Sequence, residues 1–368
     1  MTNEKYPEIR YLMNKKTKNS NDYLAAEKRL NGLLRGYELE HSVVALPDFT
    51  DSNSLPIGTT VIIPSRFPIN PSLVGMDIGC GYNFFSLAIN PKRFMKKGKL
   101  KIKNIEEAVK SIDAEKNSLK LENGLGTIGS GNHFIDIFLL DSIYDEEKCE
   151  SVGLHRESVY SIIHSGSRTI GNRVYQDFLK RFNECGKSPT KIHEFNQKYI
   201  HAFNIAGDFA AENRRVLRNV VERALFSDSR LFYDKSHNDI EIQPSGNFKI
   251  KKGASSLEFG EMFVIPSTCT DFAYVVVGGD GLKESYNTIN HGLGRKYSRG
   301  QMSSKFSRKE SEKFFGNDVV FNLPYERLME SAPIMYKNTE NVMSSVEEFK
   351  LGGKIARLKP IGVIVEIK

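Results

Sequence analysis

Apolar residues recur along this chain at two spacings, and each spacing predicts a different element. Between 103 and 121, Ile105, Val109 and Ile112 stand three or four apart, the repeat that turns one face of an α-helix to a core. A second helix is read over 175–182. Ser188-Pro189-Thr190 then opens a long helical stretch to about Leu225, with a hydroxyl residue at the cap and proline in the first turn. Short β-branched and aromatic runs bounded by turn residues predict strands at 41–46, 59–63, 84–89, 159–163, 248–250, 262–265 and 273–277. The first ends at Pro47-Asp48 and the second is closed by Pro64. The segment 361–367 reads as a buried strand, and residues 1–40 as polar and partly helical. Helices and strands mix without regular alternation, so the expected class is α+β. No Rossmann unit, Walker A sequence or internal repeat stands out.

Composition narrows the class. A hydrophobic content of 39% with 26% charged residues describes a globular chain. No apolar run approaches the roughly 20 residues of a membrane helix. The start, Met1-Thr2-Asn3-Glu4-Lys5, lacks an apolar stretch after its charges, so a secretory leader is not expected. Cys80, Cys149, Cys185 and Cys269 show no paired spacing, which fits a reducing cytoplasm and leaves Cys80 free as a thiolate ligand. The net charge of +7 and pI near 9.0 favour a polyanionic partner, although charge alone decides nothing.

Candidate chemistry lies in glycine-rich loops. His291-Gly292-Leu293-Gly294-Arg295 joins an imidazole, which can attack phosphorus, to two glycines that admit a ligand and a guanidinium suited to phosphate. Val74-Gly75-Met76-Asp77-Ile78-Gly79-Cys80-Gly81 sets a carboxylate and a thiol three residues apart, in a loop between two predicted strands. Asn132-His133 follows in a run of glycines, then His164-Ser165-Gly166-Ser167-Arg168, then Ser236-His237-Asn238. Asp77, Cys80, His133, His164 and His237 supply one oxygen, one sulfur and three nitrogens. This set suits a borderline divalent metal, with a thiolate able to bridge two ions. Taken one at a time, a lone histidine is more often a hydrogen-bonded core residue and a lone cysteine a small buried hydrophobe. The other histidines, His41, His155, His193 and His201, carry no motif and read as structural or surface residues.

Together these motifs, in their order from about His41 to the C-terminus, resemble the RtcB family of RNA ligases. The resemblance implies a compact α+β body with central packed sheets and outer helices, one catalytic domain over 1–368. It implies a dinuclear manganese centre on Asp77, Cys80, His133, His164 and His237; on chemical grounds zinc or iron would also suit these ligands. It implies that His291 attacks the α-phosphate of GTP and becomes guanylylated. The guanylate then passes to an RNA 3′-phosphate, and a 5′-hydroxyl displaces GMP. A 2′,3′-cyclic phosphate is first opened at the same metals. Arg168, Arg295 and Asn132 are the candidates for charge stabilisation. Asp136, Gly292, Gly294, Lys252 and Lys368 are candidates for nucleotide contact, Lys252 facing either the RNA or the nucleotide. The implied partners are cleaved RNAs such as tRNA or ribosomal RNA, with an activating protein such as archease a further candidate.

Three departures from the family pattern bear on nucleotide handling. The family's Pro-Gly-Ser-Met-Gly loop reads Pro266-Ser267-Thr268-Cys269-Thr270. Phe49 stands where the family often has a histidine after a proline-aspartate pair. Where the family has a C-terminal lysine-glycine pair this sequence reads Val365-Glu366-Ile367-Lys368, so either Lys368 stands in at a shifted register or the contact is lost. The rival expectations are a cyclic-phosphate hydrolase that does not ligate, and an inactive RNA-binding relative.

Overall fold

The computed structural model describes residues 7–18, 23–37, 39, 42–118, 124–297, 313–315, 318–324, 328 and 331–365. His41 and Lys368 lie outside the described residues. The strands are β1 (Ile9–Tyr11), β2 (Val43–Thr50), β3 (Ile57–Ile63), β4 (Gly81–Leu87), β5 (Phe134–Ile143), β6 (Val159–Ser165), β7 (Ser229–Ser236), β8 (Asn238–Ile242), β9 (Phe248–Lys252), β10 (Ala254–Ser256), β11 (Met262–Ile265), β12 (Ala273–Gly278), β13 (Thr288–Asn290), β14 (Val320–Phe321) and β15 (Gly352–Ile364). The helices are α1 (Lys15–Lys18), α2 (Tyr23–Leu34), α3 (Pro91–Met95), α4 (Gly98–Ser118), α5 (Glu146–Val152), α6 (Arg168–Glu184), α7 (Pro189–Leu225) and α8 (Thr339–Glu348).

Alternation along the strands builds the layers. In β2, Val44 and Leu46 enter one apolar cluster while Val43 and Ala45 enter another. In β4, Phe84 and Phe85 divide in the same way, as a period of two requires. A five-stranded sheet of order β1-β2-β3-β9-β8 therefore faces a large sheet of order β11-β12-β15-β5-β6-β4-β7, with β14 on β15 and a separate β10-β13 pair. Helices α2, α6 and the first half of α7 cover the small sheet through Leu30, Phe178 and Tyr199. Helices α3, α4 and the second half of α7 cover the large one through Phe94, Ile102 and Leu217. This is the expected α+β body with sheets inside and helices outside.

Most element boundaries lie a few residues from the sequence reading, and two of the shifts have a plain cause. The first predicted strand does not stop at Pro47-Asp48: β2 runs to Thr50, with a register irregularity against β3 between Ala45 and Thr50. Proline is tolerated there because an irregular segment does not need every ladder N–H. The last strand begins at Gly352, well before 361, because Pro360 and Gly362 are carried by a register shift against β5. The long helix is as predicted from Pro189 to Leu225, although Ser188 makes no side-chain capping bond.

Candidate active site

The five metal-ligand candidates, scattered over 160 residues of chain, converge at one end of the large sheet. Antiparallel pairing sets Tyr82 of β4 beside His164 of β6, and Phe134 of β5 beside the same His164. The ligands precede or end these strands. Asp77 and Cys80 lie in the turn before β4, His133 precedes β5, His164 ends β6, and His237 follows β7. Asn238 ties the turn to its neighbours: its Nδ2 donates to Asp77 O at 3.0 Å, and its Oδ1 accepts from Gly253 N at 3.0 Å. Gly166 is required by packing, because a Cβ there would collide with the Asp77 carboxylate.

The donor atoms form a chain. His133 Nε2 lies 3.0 Å from Asp77 Oδ2 and 3.3 Å from Cys80 Sγ. Cys80 Sγ lies 3.1 Å from His164 Nε2, which lies 3.2 Å from His237 Nε2. Two donor triads result, Asp77/Cys80/His133 and Cys80/His164/His237, and they share the Cys80 sulfur. The donor set suits two borderline cations bridged by a thiolate, since bonds of about 2.0–2.3 Å to one ion separate its ligands by only a little more than these distances.

Electrostatics agree with that fit. Burial, reinforced by His133 and His291 for His164 and by His291 and His164 for His237, keeps both well below the ordinary histidine pKa, so both are neutral with lone pairs to offer. Burial and the Asp77 carboxylate push the Cys80 thiol well up; a thiolate here needs a compensating cation. Desolvation in the cleft also works against the Asp77 carboxylate, but His133, Cys80 and Lys252 more than offset it and hold its pKa below the usual range.

His291 stands next to this cluster, its ring centroid 4.5 Å from that of His237. Its Nδ1 faces Asp48 Oδ2 at 2.7 Å, and Asp48 is fully buried. The carboxylate fixes the tautomer: Nδ1–H donates, and Nε2 keeps the free lone pair. Tyr82 stacks parallel to His291 at 6.3 Å and presents its edge to His164 and His237 at 4.7 and 4.8 Å. Gly294, with φ +70°, packs so closely on Asp48 that a side chain there would overlap the Asp48 carbonyl. Lys337 Nζ donates to Phe49 O, and its backbone N–H to Gly294 O at 3.1 Å, so it clasps the Asp48 strand to the His291 loop.

A cleft of about 180 Å³ opens above these groups, lined among others by Asn132, Asp136, Ser267, His291, Gly292 and Arg295. Asp136 Oδ1 and Ser267 Oγ are buried without hydrogen-bond partners, and burial raises the Asp136 pKa far above the carboxylate range. The altered 266–270 loop therefore forms one wall of the cleft.

One sequence candidate sits elsewhere than expected, and another is held against a candidate ligand. Lys252 does not line the cleft: it is buried beneath the Asp77 turn and donates to Val74 O at 2.6 Å. Arg168 holds a left-handed backbone, φ 56°, and turns its Nη1 to His133 Nδ1 at 3.4 Å and its Nε to Thr127 Oγ1 at 3.3 Å. His155, His193 and His201 are exposed, in accord with their surface reading. Asp48, Tyr82, Lys337 and Arg214 were not singled out from the sequence. Only Asp48 had a signal there, as an acid beside Pro47 at a strand end.

Comparison with known proteins gives related findings. A family model described as tRNA-splicing ligase RtcB matches residues 103–366. The chain is 26% identical to an RNA-splicing ligase RtcB2 of Escherichia coli over 333 residues, covering 87% of this chain and 86% of that one. It is 26% identical to a tRNA-splicing ligase RtcB of Nanoarchaeum equitans, with 89% and 88% covered. For the tRNA-splicing ligase RtcB of Thermococcus kodakarensis the identity is 27%, over 65% of this chain and 59% of the relative.

Proposed function

The chain belongs to the RtcB family, and from that premise we propose that it is a GTP- and manganese-dependent RNA ligase that joins 3′-phosphate or 2′,3′-cyclic phosphate ends to 5′-hydroxyl ends. The observation that carries the reading is the Cys80 sulfur shared by two donor triads, with a carboxylate-tethered imidazole one ring away. Asp77, Cys80 and His133 would hold one cation, and Cys80, His164 and His237 the other. Bound there, divalent cations neutralise phosphate oxygens and ease the departure of pyrophosphate.

The protein's own groups then have separable tasks. His291 Nε2 attacks the α-phosphorus of GTP, forming a P–N bond as pyrophosphate leaves. Asp48 holds the ring and stabilises the positive charge that develops on it. An oxygen of the RNA 3′-phosphate next displaces the imidazole, and finally a 5′-hydroxyl attacks the RNA phosphorus and expels GMP. Arg295 and Asn132 supply donors to phosphate oxygens from the cleft wall. Asp136, with an unpaired oxygen in the cleft, offers an acceptor to the guanine edge. Gly292 and Gly294 let the ligand approach the backbone.

The test is a ligation assay with Mn2+, GTP, an RNA ending in 3′-phosphate and a second RNA starting in 5′-hydroxyl. A joined product is expected. Opening of a cyclic phosphate end without joining would replace the proposal with the hydrolase reading, and no turnover on either end would remove both.

A further inference from the structure

One dense cluster of positive charge lies at a place that the catalytic reading does not use. Between 91 and 103, seven of thirteen residues are lysine or arginine and none is acidic. The whole chain has 52 basic and 45 acidic residues, so outside this stretch the two balance at 45 each. The stretch forms α3 and the first turns of α4. Lys92, Arg93, Lys96, Lys97, Lys99 and Lys103 are exposed there. Among the described residues, only Lys103 of these six pairs with a carboxylate, Glu107 at 3.5 Å within the helix, a pair worth little. Lys101 is drawn inward over the Phe94 ring at 4.6 Å. Partial burial, with repulsion from Arg93 and Lys97, lowers its pKa, which reflects how closely the cations are set.

The surface and the reaction cleft lie on opposite faces of the end of β15. Ile102, on the inner face of α4, fills the space beside Gly362 of β15, where a Cβ would strike it. The next residue, Val363, points the other way and lines the cleft. A groove runs between Lys99 and Lys103 on one side and residues 319–324 on the other. Asn322, in that groove, exchanges two hydrogen bonds of 2.9 and 3.0 Å with Val365, which also lines the cleft. Met95 and Leu100, each about half exposed, add apolar surface between the cations.

We propose that the α3–α4 surface is a docking site for the sugar–phosphate backbone of RNA, gripping the body of the strand while its 3′ end enters the cleft. The choice of RNA as the polyanion rests on the ligase reading above; the site itself rests on the charge and its position. Flexible exposed cations gain by releasing counterions, and phosphate contacts of this kind position a strand without reading its sequence. Binding at this surface is therefore sequence-tolerant and strongly dependent on salt.

The test compares the full-length protein with a variant carrying Lys92→Glu, Lys96→Glu, Lys97→Glu and Lys99→Glu, and with one carrying Lys→Arg at the same four positions. The probe is a fluorescent single-stranded RNA of about 20 nucleotides with a 3′-phosphate, followed by anisotropy across a salt series. The Glu variant should bind at least tenfold more weakly near 100 mM salt, and its log–log salt slope should be shallower by about 2–3, about 0.7 for each phosphate left unneutralised. The Arg variant should bind as wild type does. Covalent labelling by GTP without RNA should be the same in all three. Unchanged RNA affinity and slope in the Glu variant would overturn the proposal. So would a selective loss of binding to phosphatidylserine vesicles or polyglutamate with RNA binding intact. Absence of GTP labelling in every protein would count against the ligase reading alone, because the anisotropy reports RNA docking independently.

Discussion

Replacing Arg214 should weaken the fold and the proposed metal centre together. Arg214 lies on α7 with 1% of its side chain exposed. Its Nη1 donates to Gly79 O at 2.7 Å and to Ser165 O at 2.9 Å, and its Nε and Nη2 hold Asp234 at 2.5–3.1 Å. Gly79 precedes Cys80 and Ser165 follows His164, so one guanidinium braces both ligand-bearing turns from behind. Arg214→Met keeps most of the stem and removes the fork. Two buried carbonyls lose their charged donor at about 1–3 kcal/mol each. Asp234 retains Asn83 Nδ2 at 2.9 Å and some solvent, with 23% exposed, so it adds less. The loss is about 3–5 kcal/mol, the range for breaking a buried pair by removing one partner, and it should lower the melting midpoint by roughly 4–6 °C. Manganese affinity should fall about 10–100-fold, as it does when support behind a ligand is removed. The assay is a thermal melt across a manganese titration. Adding Asp234→Leu should recover part of the stability but not the affinity, since the carboxylate no longer needs a partner while the turns remain unbraced. An Arg214→Met protein that melts within about 1 °C of wild type and binds manganese equally well would refute the bracing role.

Asp48→Asn should leave manganese content unchanged while slowing covalent labelling by GTP about 10²–10⁴-fold, because the amide no longer stabilises a charged His291; labelling within a factor of two of wild type would remove the positioning role. Glu241 gives a pH dependence. Burial opposes its charge, but Lys251 and Lys249, with Ser256, bring its pKa down to about 2 from 4.5. A carboxyl depressed in the folded state stabilises above its unfolded value and loses that contribution as pH falls to its folded one. The melting gap between wild type and Glu241→Gln should thus be full at pH 6 and close between about 4.5 and about 2; a gap constant across that window would contradict the assignment. Base choice should be loose. Ser267, in the cleft wall, and Thr270 stand where the family pattern has glycines, and Asp136 is short, so GTP should be preferred over ATP by less than a full set of base-edge hydrogen bonds allows, at about 1 kcal/mol for each such bond missing. Strict selectivity in a labelling series with GTP, ATP, dGTP and ITP would show that other residues make those bonds.

What the sequence revealed followed from local physics. The helix from Pro189 was legible because its cap, proline and apolar repeat are all within the segment. The candidate ligands were legible because Asp77 with Cys80, His133 and His164 sit in short glycine-bearing motifs, while His237 stood out only through Ser236 and Asn238 beside it. What depends on distant pairing was not. Asp48 meets a partner 243 residues away, and Pro47 beside it looked like a strand end because the irregular register that tolerates it arises only against β3. Arg214 looked like one of several basic residues on a long helix; only folding places it between Gly79 and Ser165. β5 went unread because Phe134–Ile143 is an apolar run with acids at Asp136 and Asp141, matching neither period cleanly, while the paired sheet buries Asp136 and pairs Asp141 with Arg357 at 2.6 Å. Lys252 shows the converse: its motif was visible, but its burial beneath the Asp77 turn was not.

The central claim is that His291 carries the guanylate through its Nε2 atom. The most direct measurement is intact-mass and peptide-mapping spectrometry of the protein after incubation with GTP and Mn2+, kept at neutral to alkaline pH because a P–N bond is acid-labile. One GMP per chain is expected, on the peptide containing His291, lost on acid treatment and absent from His291→Ala, which should keep its full manganese content. A GMP adduct on another residue, or one that persists in His291→Ala, would contradict it.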